Sequence, residues 1–144
     1  RKVCRAMTYL LDTCVLSEFM KKSPDPRLLS FMASLNEKDT YLSAVSIGEI
    51  RKGIALLGRT KRAAFLRNWL KELQQRYQGR IKAFNVTVAE LWGDKVAAAQ
   101  KKGLPRPVLD SLIAATAAVD GMTLVTRNVE DMSHMGIKIY NPFT

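Results

Sequence analysis

Short apolar runs alternate with longer stretches in which apolar residues recur every three or four positions. The strand-like runs are residues 8–11 (TYLL), 41–45 (YLSAV), 81–86 (IKAFNV), 123–126 (TLVT) and 137–140 (IKIY). Several are apolar throughout rather than alternating, the pattern of strands covered on both faces of a parallel sheet. The intervening stretches have helical spacing. Residues 15–20 predict a turn or two of helix. Leu28, Leu29, Phe31, Met32 and Leu35 predict a helix over 27–35, with Pro26 suited to its first turn. Ile47, Ile50, Ile54 and Leu57 predict a helix that follows Ser46 and ends near Gly58. Phe65, Leu66, Trp69, Leu70, Leu73 and Tyr77 form the stripe of a longer helix over about 60–77. Two more helices are expected over 87–100 and, Ala-rich, over 109–119, with a turn or short helix at 128–132. This order predicts one α/β/α domain over 7–144, in which the helical insertion between 48 and 78 forms an arm or clamp.

The chain has 144 residues and is 47% hydrophobic and 25% charged, enough for a real core and unlike a disordered chain. Cys4 and Cys14 are its only cysteines, which excludes a disulfide scaffold and a Cys-based zinc site. No apolar run reaches the roughly 18 residues of a membrane helix, and no signal peptide is visible, so a cytoplasmic protein is expected. Residues 1–6 precede Met7 and read as an N-terminal extension or a tag remnant.

Candidate chemistry comes from scattered acids. In an open parallel sheet, functional groups gather beyond the carboxyl ends of the strands. Asp12 ends the first strand, Glu49 lies early in the helix after the second, Asp110 opens the Ala-rich helix, and Asp131 follows TLVT. Converging carboxylates repel one another, and a divalent cation removes that penalty. Oxygen donors without a thiolate or histidine set suit magnesium or manganese, which can activate water and neutralise a phosphoryl group. Each acid also has a capping alternative. Asp12 could cap the next helix, Ser46 and Glu49 form a capping box, Asp110 stands at a helix start, and 128–131 reads as a capped turn. Thr87 and Glu90 form a second box. Glu18 lies one and a half turns beyond Asp12, near the expected cleft. His134, the only histidine, reads as structural or exposed, and Cys14 as a small side chain beside the site rather than a nucleophile. No glycine-rich phosphate loop is present.

The net charge is +10. Most of the excess lies between Arg51 and Lys82, in Arg51, Lys52, Arg59, Lys61, Arg62, Arg67, Lys71, Arg76, Arg80 and Lys82, against the single acid Glu72. A solvated surface is one reading of this stretch, and a face that tracks nucleic-acid phosphates is the other. Arg127 and Arg106 could each meet a phosphate or pair with a site carboxylate. Phe65, Leu66 and Trp69 could leave a hydrophobic patch on the arm, Trp92 is expected to pack inside, and Phe19 and Met20 could border a groove for a partner peptide.

Together, LLDTCVLSE at 10–18, AVSIGEIRKGI at 44–54, LPRPVLDSLIAATAAVDGMTLVTRNVEDM at 104–132 and GIKIYNPF at 136–143 resemble the PIN-domain family, and within it the VapC-type ribonuclease toxins of toxin–antitoxin pairs. WGDKVA at 92–97 is similar to the FitB-like subgroup. The resemblance implies a three-layer α/β/α sandwich with a five-stranded, mainly parallel sheet. It implies a catalytic magnesium or manganese site held by Asp12, Glu49, Asp110 and Asp131, supported by Asn128, Thr126 and Arg127. Here the first motif reads DTC where the family commonly has DTN, so Cys14 stands in the place of that Asn. The implied reaction is metal-dependent hydrolysis of an RNA phosphodiester, leaving 5′-phosphate and 3′-hydroxyl ends, with Arg51, Lys52, Arg59, Lys61 and Arg62 as candidate RNA contacts. The implied partners are RNA, a cognate small antitoxin, operator DNA reached through that antitoxin, and a second copy in a homodimer. No membrane is implied. The competing reading is a catalytically silent, nucleic-acid-binding or regulatory PIN-like protein.

Overall fold

The computed structural model describes residues 7–104 and 107–144. The expected extension at 1–6 and Arg106 lie outside the described residues, as does the side chain of His134. Five short strands form one sheet: β1 (Tyr9–Leu11), β2 (Thr40–Ser43), β3 (Ile81–Lys82), β4 (Thr123–Val125) and β5 (Ile139–Tyr140), in the order β3-β2-β1-β4-β5. Every pairing is parallel, with Leu10 opposite both Tyr41 and Leu124, and Val125 opposite Tyr140. The five-stranded parallel sheet expected from the resemblance is therefore present.

Alternation along each strand divides the core in two. Leu11, Leu42 and Val125 point to one face. There they meet Val15 and Leu16 of α1 (Thr13–Phe19), Leu28 of α2 (Pro26–Ala33), Ile50 and Ile54 of α3 (Ala44–Leu56), and Leu66 and Leu70 of α4 (Lys61–Arg76). Leu10 and Leu124 point to the other face, against Ile113, Ala114 and Ala117 of α6 (Val108–Val119) and Met132 of α7 (Val129–Met132). The remaining helix, α5 (Val86–Lys101), packs on α6. Small side chains let α6 sit close: Ser111, Ala114, Ala115, Thr116 and Ala117 are all buried. Trp92 of α5, half-buried as expected, donates its Nε1–H to Ser111 Oγ at 2.9 Å. Leu10 is fully buried at the centre of the sheet. Leu10→Ala is expected to lower the unfolding free energy by about 2–5 kcal/mol, read from urea titration.

Element boundaries differ from the sequence reading in an instructive way. The second strand ends at Ser43, and Val45 is already helical. Ser43, not Ser46, caps α3, accepting the Val45 N–H at 3.1 Å. The expected Ser46–Glu49 capping box is therefore not formed; Ser46 is buried inside the helix and Glu49 lies in its second turn. Likewise Asn85, accepting from the Val88 N–H at 3.1 Å, caps α5 in place of Thr87. The strand expected over 81–86 is only Ile81–Lys82, because β3 is an edge strand with a single neighbour to pair with.

The helical arm is the α3–α4 hairpin. Ala63, Leu66 and Leu70 anchor it in the core. Of the suspected hydrophobic patch, Leu66 is buried and Trp69 packs against the core, while Phe65 is exposed along with Leu56 and Leu57 at the tip. Part of the basic stretch is absorbed by the fold. The Arg80 guanidinium donates to the carbonyls of Glu37 and Thr40, both at 2.7 Å, and lies 4.3 Å from the Tyr77 ring centre. Arg76 pairs with Glu37, and Lys82 with Asp120 at 3.2 Å.

Candidate active site

The strand order reverses at β1. The chain leaves β1 for β2 and β3 on one side and later returns to β4 and β5 on the other. Such a switch point opens a crevice at the carboxyl ends of the two central strands. Asp12 directly follows β1 and Thr126 directly follows β4, and the Asp12 N–H extends the ladder by donating to Val125 O at 3.0 Å.

Asp12 is 1% exposed. A carboxylate so deep needs donors, and it has them. Oδ1 accepts the Thr13 N–H at 2.8 Å, which also caps α1, and Oδ2 accepts the Thr126 hydroxyl at 2.7 Å. The capping reading of Asp12 therefore holds, and it does not conflict with the site reading, since both place an anion at a helix start. The Thr126 hydroxyl accepts in turn from the Asn128 N–H at 3.0 Å, which ties the segment after β4 to the Asp12 carboxylate.

Cys14 points into the same corner, its Sγ 3.6 Å from both Asp12 Oδ2 and Thr126 Oγ1 and 3.4 Å from the Arg127 N–H. Burial, and then the Asp12 charge, push the thiol pKa up. A protonated, partly buried thiol is a poor nucleophile, in keeping with the small-side-chain reading of this position.

Glu49 reaches the site from α3. Its Oε1 accepts the Thr13 hydroxyl at 2.8 Å, and Thr13 Oγ1 lies 2.8 Å from Ser46 Oγ. Thr13 and the buried Ser46 had no place among the expected site residues. Nothing in the local pattern marks them, because the contact spans 36 positions and forms only when α1 and α3 lie side by side.

Asp110 projects from the first turn of α6 and Asp131 from that of α7. The Asp110 carboxyl is pushed up to about 6, first by burial and then by the charges of Asp12, Glu49 and Asp131. The fold therefore brings Asp12, Glu49 and Asp131 within electrostatic reach of Asp110. It does not close them into a finished ligand cage: among the described residues, no three acid, imidazole or thiol groups stand together at ion-holding distance. Hydroxyls and amides hold Asp12 and Glu49 in place, and their uncompensated charges press on Asp110.

Asn128 occupies the cap position of α7, but its side chain makes no capping bond. Arg127 turns away from the four acids. Its Nη2 lies 3.5 Å from Glu18, and its guanidinium carbon 3.9 Å from the Phe143 ring centre. Glu18 is buried and also receives Lys21 Nζ and the Asp25 N–H, each at 3.0 Å; the Lys21 bond leads the causes that hold its pKa below the ordinary value. The candidate RNA contacts Arg51, Lys52, Arg59, Lys61 and Arg62 are all exposed, on α3, at the hairpin tip and on the first turn of α4. Phe19 borders a cleft of about 460 Å³ with Met32, Trp69 and Leu73, whereas Met20 is not part of its lining.

Comparison with known proteins agrees with this architecture. The PIN-domain profile matches residues 9–138. Toxin FitB of Neisseria gonorrhoeae is 33% identical over 135 residues, covering 93% of this chain and 97% of that protein. The VapC ribonuclease Y4jK of Sinorhizobium fredii is 32% identical over 135 residues, covering 93% of this chain and 96% of that protein. A solved structure of FitAB bound to an IR36 DNA fragment superposes with a TM-score of 0.89 at 32% identity, covering 95% of this chain and 96% of that one. With a parallel sheet, a switch-point crevice and this likeness along almost its whole length, the chain belongs to the PIN-domain family, among the VapC- and FitB-like toxins of toxin–antitoxin systems.

Proposed function

We infer that the protein is an endoribonuclease toxin that hydrolyses RNA phosphodiester bonds with the help of a divalent cation. The observation that carries the chemistry is the Asp110 carboxyl, pushed up to about 6 first by burial and then by the charges of Asp12, Glu49 and Asp131. That is the signature of an anionic pocket waiting for positive charge. The donor set fits a hard cation, with carboxylate oxygens from four elements and the one nearby sulfur protonated. Asp12, Glu49, Asp110 and Asp131 would hold magnesium, or manganese in its place. The ion, when bound, supplies an acidified water and charge neutralisation at phosphorus.

The chain's own residues supply positioning. Thr126 and the Thr13 N–H lock Asp12. Arg127 stands at the rim, where its exposed guanidinium meets a phosphate flanking the cut. Arg51, Lys52, Arg59, Lys61 and Arg62 draw the RNA backbone along the hairpin. The protein acts in the cytoplasm, and among the described residues no helix is long and apolar enough to cross a membrane. FitAB, one of its structural neighbours, has been solved on DNA. By extension this toxin pairs with a small cognate antitoxin, reaches operator DNA through it, and works as a homodimer, with the cleft beside Phe19 as a seat for an antitoxin segment.

The test is cleavage of single-stranded RNA with magnesium and with chelator, followed by mapping of the ends. Fragments with 5′-phosphate and 3′-hydroxyl ends, formed only with magnesium, are expected. RNA that is bound but never cut would establish the silent binder instead, and equal cleavage in chelator would remove the metal from the mechanism.

A further inference from the structure

We propose that Thr13 is a positioning residue that aims Glu49 into the acid cluster through its hydroxyl, which bonds the Glu49 carboxylate across the α1–α3 contact. This inference rests on the metal-dependent reading above and adds a part to it. The direction of that bond follows from proton counting. A carboxylate can only accept, and a threonine hydroxyl has one proton to give. Thr13 Oγ1 has two acceptors in reach, Glu49 Oε1 and Ser46 Oγ, each at 2.8 Å, and the charged carboxylate is the stronger of the two.

The placement is set by two local geometries. Ser46 and Glu49 are three residues apart on α3 and share a face, so both reach one side chain on the neighbouring helix. Thr13 is the first residue of α1, immediately after Asp12, and its β-branched side chain has few rotamers in which to hold the bond. Among the described residues, only Oε1 of Glu49 accepts a hydrogen bond, so Oε2 stays free to act as a ligand. A flexible Glu on a half-exposed helix face would otherwise sample many rotamers. Thr13 thus couples the Asp12 loop and the Glu49 helix. Its amide fixes one carboxylate while its hydroxyl fixes the other.

A purely structural tie between α1 and α3 would have the same bonds, so the experiment must separate the two roles. Thr13→Val keeps the branched shape and removes the hydroxyl; Thr13→Ser keeps the hydroxyl; Ser46→Ala removes the competing acceptor. Mn²⁺ affinity is measured by electron paramagnetic resonance on the full chain, next to the melting temperature without metal. Thr13→Val is expected to weaken Mn²⁺ binding about 10- to 100-fold while its metal-free melting temperature stays near that of wild type. Thr13→Ser restores most of the affinity, and Ser46→Ala retains it. Wild-type affinity in Thr13→Val overturns the proposal, as does a loss that tracks melting temperature and is not restored by Ser. If the wild type takes up no Mn²⁺ that Asp12→Asn abolishes, the metal reading itself fails and this inference falls with it.

Discussion

Asp12→Asn is expected to reduce magnesium-dependent RNA cleavage by about 10²–10⁴-fold while leaving the protein folded. The substitution is nearly isosteric. The Asn carbonyl oxygen can still accept the Thr13 N–H, so the cap of α1 survives. The Thr126 hydroxyl loses its carboxylate acceptor and must turn to meet an amide instead. Because that corner is almost fully buried, the expected stability change is about 1 kcal/mol in either direction, with relief of carboxylate repulsion offsetting the weaker hydrogen bond. What disappears is the negative charge where β1 and β4 end, one of the three that act on Asp110. Single-turnover cleavage of a labelled RNA, alongside circular-dichroism melting, measures both effects. Full activity in a folded Asp12→Asn protein would sink the assignment of this crevice as the catalytic centre.

The second large effect concerns Asp110 and has opposite signs for stability and activity. In the folded, metal-free protein its carboxyl titrates at about 6 rather than the ordinary 3.8. The folded state therefore keeps a proton that the unfolded chain has already released between those two values. Its contribution is full below about pH 4 and is lost as pH rises through about 6. The site is partly exposed, so solvent screening leaves on the order of 1 kcal/mol. Asp110→Asn removes the charge at every pH. Its metal-free melting temperature is expected to exceed that of wild type at pH 7.5, with the difference shrinking toward pH 4.5. Saturating magnesium should reverse the order, because only the wild type retains the full ligand set and binding stabilises the folded state. Activity should fall by about 10²–10⁴-fold. A wild-type protein whose metal-free stability rises between pH 5 and pH 7.5 relative to Asp110→Asn would contradict the electrostatic picture of the site.

Much of this centre was legible along the chain. Asp12 stands out because a wholly apolar run stops abruptly on a carboxylate, and a strand that ends so must deliver that group to the edge of a sheet. Asp110 stands out as an acid opening an otherwise apolar, Ala-rich helix. The α/β layering follows from short runs such as TYLL and TLVT, which put apolar residues on successive positions, since such strands are covered on both faces. Less legible were the boundaries. Ser43 and Ser46 are equally good caps by composition, and the choice went to Ser43 because β2 had finished pairing with β1 and β3 and the chain was free to turn there. The basic stretch was readable as charge but not as function. Arg76, Arg80 and Lys82 found partners inside the fold, while Arg51, Lys52, Arg59, Lys61 and Arg62 stayed on the surface.

The amino-acid order alone therefore determined which residues are apolar in which period, where acids interrupt that period, and hence the class of fold and which four carboxylates are the candidates. Those properties are local, set by side-chain chemistry and by the repeat of helix or strand. Only the folded chain decided how the acids act on one another. Asp12 and Thr126 are 114 positions apart, and Thr13 and Glu49 are 36 apart, yet each pair shares a hydrogen bond because strand order places β1 beside β4 and helix packing places α1 beside α3. Electrostatic coupling depends on distance through space and on burial, neither of which is written at any single position.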